Sequence, residues 1–587
     1  MHEMSSRGVV ILPVSRGRPD LTRPLNGYQS PGLFPCAASK KKNQNSFILS
    51  CVSRLNAMSN LHHPSEAKSS LAGHTYGEND VSDSDPSVSS KGGTAQDGSD
   101  MHRMGKLQQL RRNFRLHSIF GYAVVMGCTW EYALVIVSLS LMNGGTAGGI
   151  WMFLVTCIGM FFVVLSLAEM ASMAPTAGGQ YHWVSEFAPP KRQKFLSYIT
   201  GWFSVIGWQA AMASTAYAVA LQLQGLIALN VPDYTIKGWQ STLLCIAVAL
   251  FAIFWNTVLI RTLPLMEGVV VVLHVFGFIS FVVVLWVLGP RSDPHAVFTE
   301  FQDNGGWGSI GLSCLVGMTG PVITLIGADA ACHLSEELKD ASWALPRSMV
   351  ATATLNYTLG FIMTITIMST LGNVEEILFT PTGQPYIQVL FNATQSRKGT
   401  SIMAAVVATL LLFAAVNLAT TVSRQLFAFA RDQGLPGSRW LAHIPNGWDI
   451  PLNAVITTLI ITALLSLIII GSSIAFNVII SIGQVGTVGS YIIAISCIFR
   501  KRLVGEPLLS SKFNLGRAGL AINAIALCFL VLAFVFPFFP LNKNPTPAQM
   551  NWNVLVTGFT MAVAVVYYFI SARKTYNGPV TYVRRSA

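Results

Sequence analysis

Carboxylates and imidazoles are rare inside long apolar runs, yet Glu131, Glu267, His274, Asp329 and His333 all lie within stretches rich in Leu, Ile, Val and Phe. A charged side chain at the middle of a bilayer costs about 2.5–3.5 kcal/mol on insertion scales, so such residues face a cavity, a partner or a proton path. Glu131 follows Gly127-Cys128-Thr129-Trp130 near the centre of an apolar run from Ser118 to Leu141. Asp329 follows Gly327-Ala328 in a run from Ile310 to Leu334 that also holds Gly317 and Gly320-Pro321. Both runs therefore combine helix-weakening residues with a carboxylate at bilayer depth. Lipid offers freed backbone groups no partner, and an opened helix survives there only around a protein-lined cavity. A matched pair of breaks in two halves of a chain points to the substrate site of a secondary transporter.

Opened backbone presents free N–H and C=O groups, and a half-helix N-terminus carries partial positive charge suited to a carboxylate. By position, Met126, Gly127, Cys128 and Thr129 in the first run and Thr324, Leu325, Ile326 and Gly327 in the second are substrate-binding candidates. A substrate nitrogen needs a carboxylate or an aromatic face. Trp130 and Glu131 stand three and four residues after Gly127, on one helical face with it; Trp208 is a further candidate. The plainer alternative is that the glycines permit close helix packing and the tryptophans face packing or lipid.

Proton coupling needs a group whose charge can change during the cycle, and the candidates are Glu131, Asp329, His333, His274 and Glu267. Asp329 and His333, four apart, would share a helix face and could exchange a hydrogen bond or a proton. Asn417, Thr420, Thr421 and Ser423 leave a sodium site open. Glu169, Arg424, Glu336 and Glu337, beside Arg431 and Asp432, are gate candidates near one surface; permanent structural pairing is the alternative.

The elements that must hold these residues follow from composition. With 587 residues, 52% hydrophobic and 11% charged, the chain has too little charge to coat a soluble protein. Twelve apolar runs approach the roughly 20 residues that span a bilayer: Ser118–Leu141, Gly149–Met173, Ile199–Leu226, Thr242–Ile260, Gly268–Leu288, Ile310–Leu334, Val350–Leu371, Met403–Phe427, Leu452–Ile470, Ile474–Ile498, Leu520–Phe536 and Val554–Ile570. With the amino terminus inside, inner connections and the C-terminal tail hold seventeen Lys and Arg against five outside, which puts both termini in the cytosol. The formal charge of +12 reflects that topology and does not argue for nucleic acid.

The nine cysteines lie in the amino-terminal tail or in apolar runs, so no disulfide is expected; no Cys/His spacing suggests a metal and no cofactor is expected. No nucleophile–base set argues for an enzyme. Asn392-Ala-Thr394 is a glycosylation sequon in an outer connection, whereas Asn356-Tyr-Thr358 falls inside a span and is discounted. Residues 1–116 read as a disordered cytosolic tail, 117–571 as the transport domain and 572–587 as a second cytosolic tail. Within the first, residues 1–57 hold only Glu3 and Asp20 as acids. They read either as a transit peptide or as sequence upstream of a start at Met58, and the second is favoured. Arg103 to Arg115 is a basic stretch that could lie on anionic lipid or equally be an ordinary positive-inside flank.

Three patterns go beyond composition. Glu169 is followed by Pro175-Thr-Ala-Gly178-Gly179-Gln180-Tyr181-His182-Trp183. Gly327-Ala-Asp329 leads into His333-Leu-Ser335-Glu336-Glu337, and Ser423-Arg424 leads to Arg431-Asp432-Gln-Gly434-Leu-Pro436. In this order they resemble the amino acid–polyamine–organocation superfamily. "PTAGGQYHW" with "CHLSEE" is similar to its fungal amino acid/choline transporter branch, which includes γ-aminobutyrate and choline permeases. The resemblance covers Ser118 to Ile570. It implies an all-α polytopic membrane protein with a LeuT-like fold: segments one to five and six to ten as inverted repeats, discontinuous segments one and six, and two appended helices. It also implies proton-driven uptake of a small amine or amino acid across the plasma membrane, with choline as the alternative substrate. A non-transporting nutrient sensor on the same fold is the remaining reading, suggested by the long tail.

Overall fold

The computed structural model describes residues 92–579, apart from 107, 260–261, 446–449, 472–473 and 577. The readings of residues 1–57 and of a start at Met58 lie outside the described residues, as do 580–587. All described residues belong to one compact unit, 82–587.

Among the described residues, twelve helical segments are long and apolar enough to cross a bilayer: Leu116–Val135, Gly145–Met173, Gln193–Asn230, Gly238–Val258, Leu265–Leu288, Ile310–Glu337, Ala341–Ser369, Arg397–Arg431, Leu452–Gly471, Ala475–Leu503, Gly516–Phe538 and Asn553–Thr575. They are called segments one to twelve below. The apolar window of segment ten is 89% buried, that of segment one 72% and that of segment three 67%, against 17% for segment twelve. The first three therefore build the centre, and segment twelve lies on the rim. Rim side chains such as Leu243, Phe254, Leu265, Phe276, Phe559 and Ile570 point outward, which suits lipid and not water. Segments eight and ten pack along segment three, and segment seven packs along segments one and two.

Both described chain ends lie at one end of the bundle, termed the inner end. Here the structure departs from the expected unstructured leader. Ala95–Arg103 is a helix closed by a capping box between Thr94 and Asp97. The Asp97 carboxylate accepts the amide N–H groups of Asp340 (3.0 Å) and Ala341 (3.1 Å), at the start of segment seven, and pairs with Arg112 at 3.3 Å. Phe114 then pairs with Leu338 as a parallel bridge, through Phe114 N–H to Glu337 O and Lys339 N–H to Phe114 O. Residues 92–106 and 108–115 thus form a strap across the inner end. Three basic residues of the stretch read as a lipid-facing or positive-inside flank bond protein instead: Arg103 donates to Met173 O, Arg112 to Ser335 O, and Lys106 pairs with Asp432.

At the opposite end Asn143–Gly144 pairs antiparallel with Gln302–Asp303, joining the connections after segments one and five. A cleft opens beside them, lined by Leu139, Val316, Thr319, Asn477, Ser481 and Asn551 among others.

Candidate functional site

Segment one is opened at Cys128, whose φ of 39° separates Leu116–Gly127 from Thr129–Val135; Val137–Met142 follows. A left-handed non-glycine residue is strained by roughly 1–2 kcal/mol, and Cys128 Sγ partly offsets this by bonding the freed Val125 carbonyl at 2.9 Å. Segment six runs as Ile310–Gly317 and Thr319–Leu325, becomes extended at Ile326, turns at Gly327 with φ 110°, and continues as a 3-10 stretch over Ala330–Glu337. Gly320-Pro321 does not break the chain. Proline sits in the first turn of the second helix, where its missing N–H has no acceptor to lose.

The two openings touch. A Cβ on Gly327 would lie 3.0 Å from Met126 Cε. Segment seven holds both: Asn356 Nδ2 donates to Val124 O at 3.1 Å and Tyr357 OH donates to Leu325 O at 2.8 Å. Consecutive residues of one helix therefore satisfy a carbonyl at the end of each broken one. Asn356 comes so close that a Cβ on Gly127 would meet its Nδ2 at 2.4 Å. Between the three segments lies a small cleft lined by Ala123, Gly127, Thr129, Leu325, Ile326, Gly327, Ala328, Thr352, Ala353, Asn356 and Tyr357. Thr324 is not on its wall; its hydroxyl returns to Gly320 O.

Trp130 and Glu131 turn elsewhere. Glu131 Oε1 lies 2.7 Å from His274 Nδ1, and the Trp130 indole N–H points at the same nitrogen from 3.2 Å. The Trp130 ring packs on Phe281 and Phe278 of segment five. The expectation that both share a face with Gly127 fails because Cys128 is left-handed, so helical phase is not carried across it. Glu131 Oε2 and His274 Nε2 have no hydrogen-bond partner. Glu267 is buried too, and its carboxylate faces Asn417 of segment eight.

Asp329 and His333 also part company. The Asp329 carboxylate accepts Gln180 Nε2 at 2.6 Å and the Tyr491 hydroxyl, whereas His333 Nδ1 bonds Ala177 O at 2.8 Å. Residues four apart share a face in an α-helix, not in the 3-10 stretch that follows Asp329. Trp208 packs edge-on against His333, with ring centres 5.3 Å apart, and does not line the cleft. The hydroxyls considered for sodium are committed: Thr421 Oγ1 lies 2.7 Å from Tyr122 OH, Thr420 bonds Asn256, and Ser423 bonds Thr420 O.

At the inner end, Arg424 bonds Glu337 at 2.9 Å and Arg431 grips Glu336 with two bonds of 2.9 and 2.7 Å, joining segments six and eight. Glu169 pairs instead with Arg502 of segment ten, at 2.6 Å. Burial pushes the Asp432 carboxyl up, but Lys106 and Arg431 outweigh it and hold it below the usual carboxylate range. Asn392 lies half-buried in the last turn of Pro385–Thr394, accepting from Gln388 Nε2 at 2.9 Å.

Sequence reasoning missed Thr352, Asn356 and Tyr357. Asn356 had a signal, an amide buried within an apolar run, but only as a discarded sequon.

Twelve bilayer-length helices, two of them opened around a shared cleft, define a multi-pass membrane transporter. The family described as amino acid permease matches residues 118–562. The chain belongs to that family, within the amino acid–polyamine–organocation superfamily, and is a transporter rather than an enzyme. An uncharacterised amino-acid permease of Schizosaccharomyces pombe is 29% identical over 85% of this chain and 92% of its own length. Amino-acid permease 2 of Neurospora crassa is 27% identical, covering 83% and 90%. The choline transporter of Saccharomyces cerevisiae is 26% identical, covering 84% and 85%.

Proposed function

We propose that the protein is a secondary active carrier of the plasma membrane that imports a small amine-bearing solute, such as an amino acid or γ-aminobutyrate, together with protons. The observation that carries this reading is the cleft walled by both opened helices, with unsatisfied polar atoms on its side. In this reading segments one to five and six to ten are LeuT-like inverted repeats, because each half begins with an opened segment. The excess of Lys and Arg on one side supports cytosolic termini.

Coupling is assigned to Glu131 and His274. One proton lies between Oε1 and Nδ1, and its position decides whether the pair is neutral or an ion pair. Glu131 belongs to the short helix that begins at Thr129, on the cleft wall. A shift of that helix on substrate binding would change the separation from His274 and release or capture the proton. The relative named as a choline transporter favours choline as the second reading.

Uptake of labelled γ-aminobutyrate and choline, in cells lacking their own carriers, tests the proposal. Accumulation of either should collapse when the pH gradient is dissipated. Absence of uptake, or dependence on sodium alone, would refute it.

A further inference from the structure

We infer that Thr352 and Asn356 of segment seven form a subsite for the substrate's nitrogen, one that selects an ammonium bearing N–H groups over a quaternary ammonium. The inference rests on the carrier reading above and names the chemistry of its substrate.

Thr352 and Asn356 are 3% and 2% exposed, both line the cleft, and Thr352 Oγ1 and Asn356 Oδ1 have no hydrogen-bond partner. Thr352 is peculiar among the threonines of its helix. Thr354, Thr358, Thr364 and Thr366 each return their hydroxyl to the carbonyl four residues earlier, the usual refuge of a buried threonine; Thr352 does not. The orientation of Asn356 is fixed by its other amide atom, because Nδ2 donates to Val124 O. Its Oδ1 is thereby left as an acceptor without a donor. A buried acceptor is costly to leave unmet, so the occupant of this cleft is a donor.

The two residues are one helical turn apart, which places their side chains about 5–6 Å from each other, within reach of a single group. A primary ammonium offers three N–H donors. A trimethylammonium offers none, and its methyl groups would cover both oxygens without satisfying them; sites built around such a bond reject analogues that lack it. No acidic side chain lines the cleft, since Glu131 is turned to His274, so neutral oxygens perform the recognition.

The test measures binding by ligand-induced thermal stabilisation of the purified full chain, and transport by uptake into proteoliposomes. The probes are γ-aminobutyrate and its N-trimethyl analogue, then ethanolamine and choline. The primary amine of each pair should bind at least tenfold more tightly. Thr352→Val should weaken it about tenfold and narrow the preference, with Thr352→Ser restoring both. Equal binding of the methylated partners, no binding by any probe, or an unchanged Thr352→Val would overturn the inference. So would stabilisation by sodium alone, which would reassign the cleft to a metal cation. Selective binding without uptake would refute the carrier reading and support the subsite.

Discussion

Replacing Glu131 with Gln separates binding from coupling. Glu131 is fully buried, and its Oε1 faces His274 Nδ1 across 2.7 Å. Gln has the same shape and its amide can donate to that nitrogen, so the contact persists as a neutral hydrogen bond. Bonds to charged groups contribute about 1.5–3 kcal/mol and neutral ones about 0.5–1.5, so the change is about 1 kcal/mol. That is small against a typical total stability of about 5–15 kcal/mol, and the variant should fold and reach the membrane. What it loses is a group that can change charge. A pH difference of one unit is worth about 1.4 kcal/mol per proton, enough for about tenfold accumulation at one proton per substrate. In proteoliposomes with that gradient imposed, wild type should approach tenfold accumulation and Glu131→Gln should stop at equal concentrations. Exchange of labelled for unlabelled substrate should continue in both. Tenfold accumulation by the variant would remove Glu131 from coupling, and loss of exchange as well would move it into the binding step.

Gly327→Val should abolish substrate binding, because the residue adopts φ 110° and its Cβ would meet Met126 Cε at 3.0 Å; retained affinity in a thermal-shift titration would place the substrate elsewhere. Gly127→Ala should lower stability by about 1–3 kcal/mol, the range for a displaced hydrogen bond that leaves a buried amide donor unmet, since its Cβ would sit 2.4 Å from Asn356 Nδ2 and push it off Val124 O. A smaller second residue at 356 should recover part of that loss in a thermal melt. Lys106 and Arg431 hold the Asp432 carboxyl below the usual carboxylate range, so its contribution to inner-end stability is complete above that range and is lost as pH falls through the lower folded value. Asp432→Asn should flatten that part of the acid-unfolding profile, and an unaltered profile would exclude the Lys106–Asp432 pair as its source.

The opened helices were readable because the features that mark them are local. Gly127-Cys128-Thr129 and Gly327-Ala328-Asp329 each weaken a helix within a few residues, and hydropathy sets the depth at which they do so. Partnership is not local. Glu131 and His274 both stood out as buried ionisable groups, yet nothing in either segment says that one faces the other. Glu169 was grouped with Arg424, whereas folding brings it to Arg502, far along the chain. Two inferences failed for a shared reason. The offsets from Gly127 to Glu131 and from Asp329 to His333 presume a continuous α-helix, and each spans a place where the helix opens or tightens. The cleft-lining residues of segment seven were passed over because an intact helix gives no sign of which buried polar atom lacks a partner.

The strap bears on how the inner end could open. If the inner part of segment six parts from segment eight there, the pairs of Glu336 with Arg431 and Glu337 with Arg424 must break. The strap is fastened to both sides. Gln108, Arg112 and Phe114 bond residues 335–339, and Lys106 bonds Asp432 at the end of segment eight. It must therefore let go of one side before the two can move apart. Asp97 is the place to loosen it, because its carboxylate caps segment seven and pairs with Arg112. Loss of a capping side chain costs about 0.5–2 kcal/mol, and Arg112 would also lose the strongest of its counter-charges in a buried setting. Asp97→Ala should raise amide hydrogen exchange at residues 330–339 several-fold while leaving segments two and three unchanged. Exchange unaltered at 330–339 in a folded variant would mean that the ion pairs alone keep this end closed.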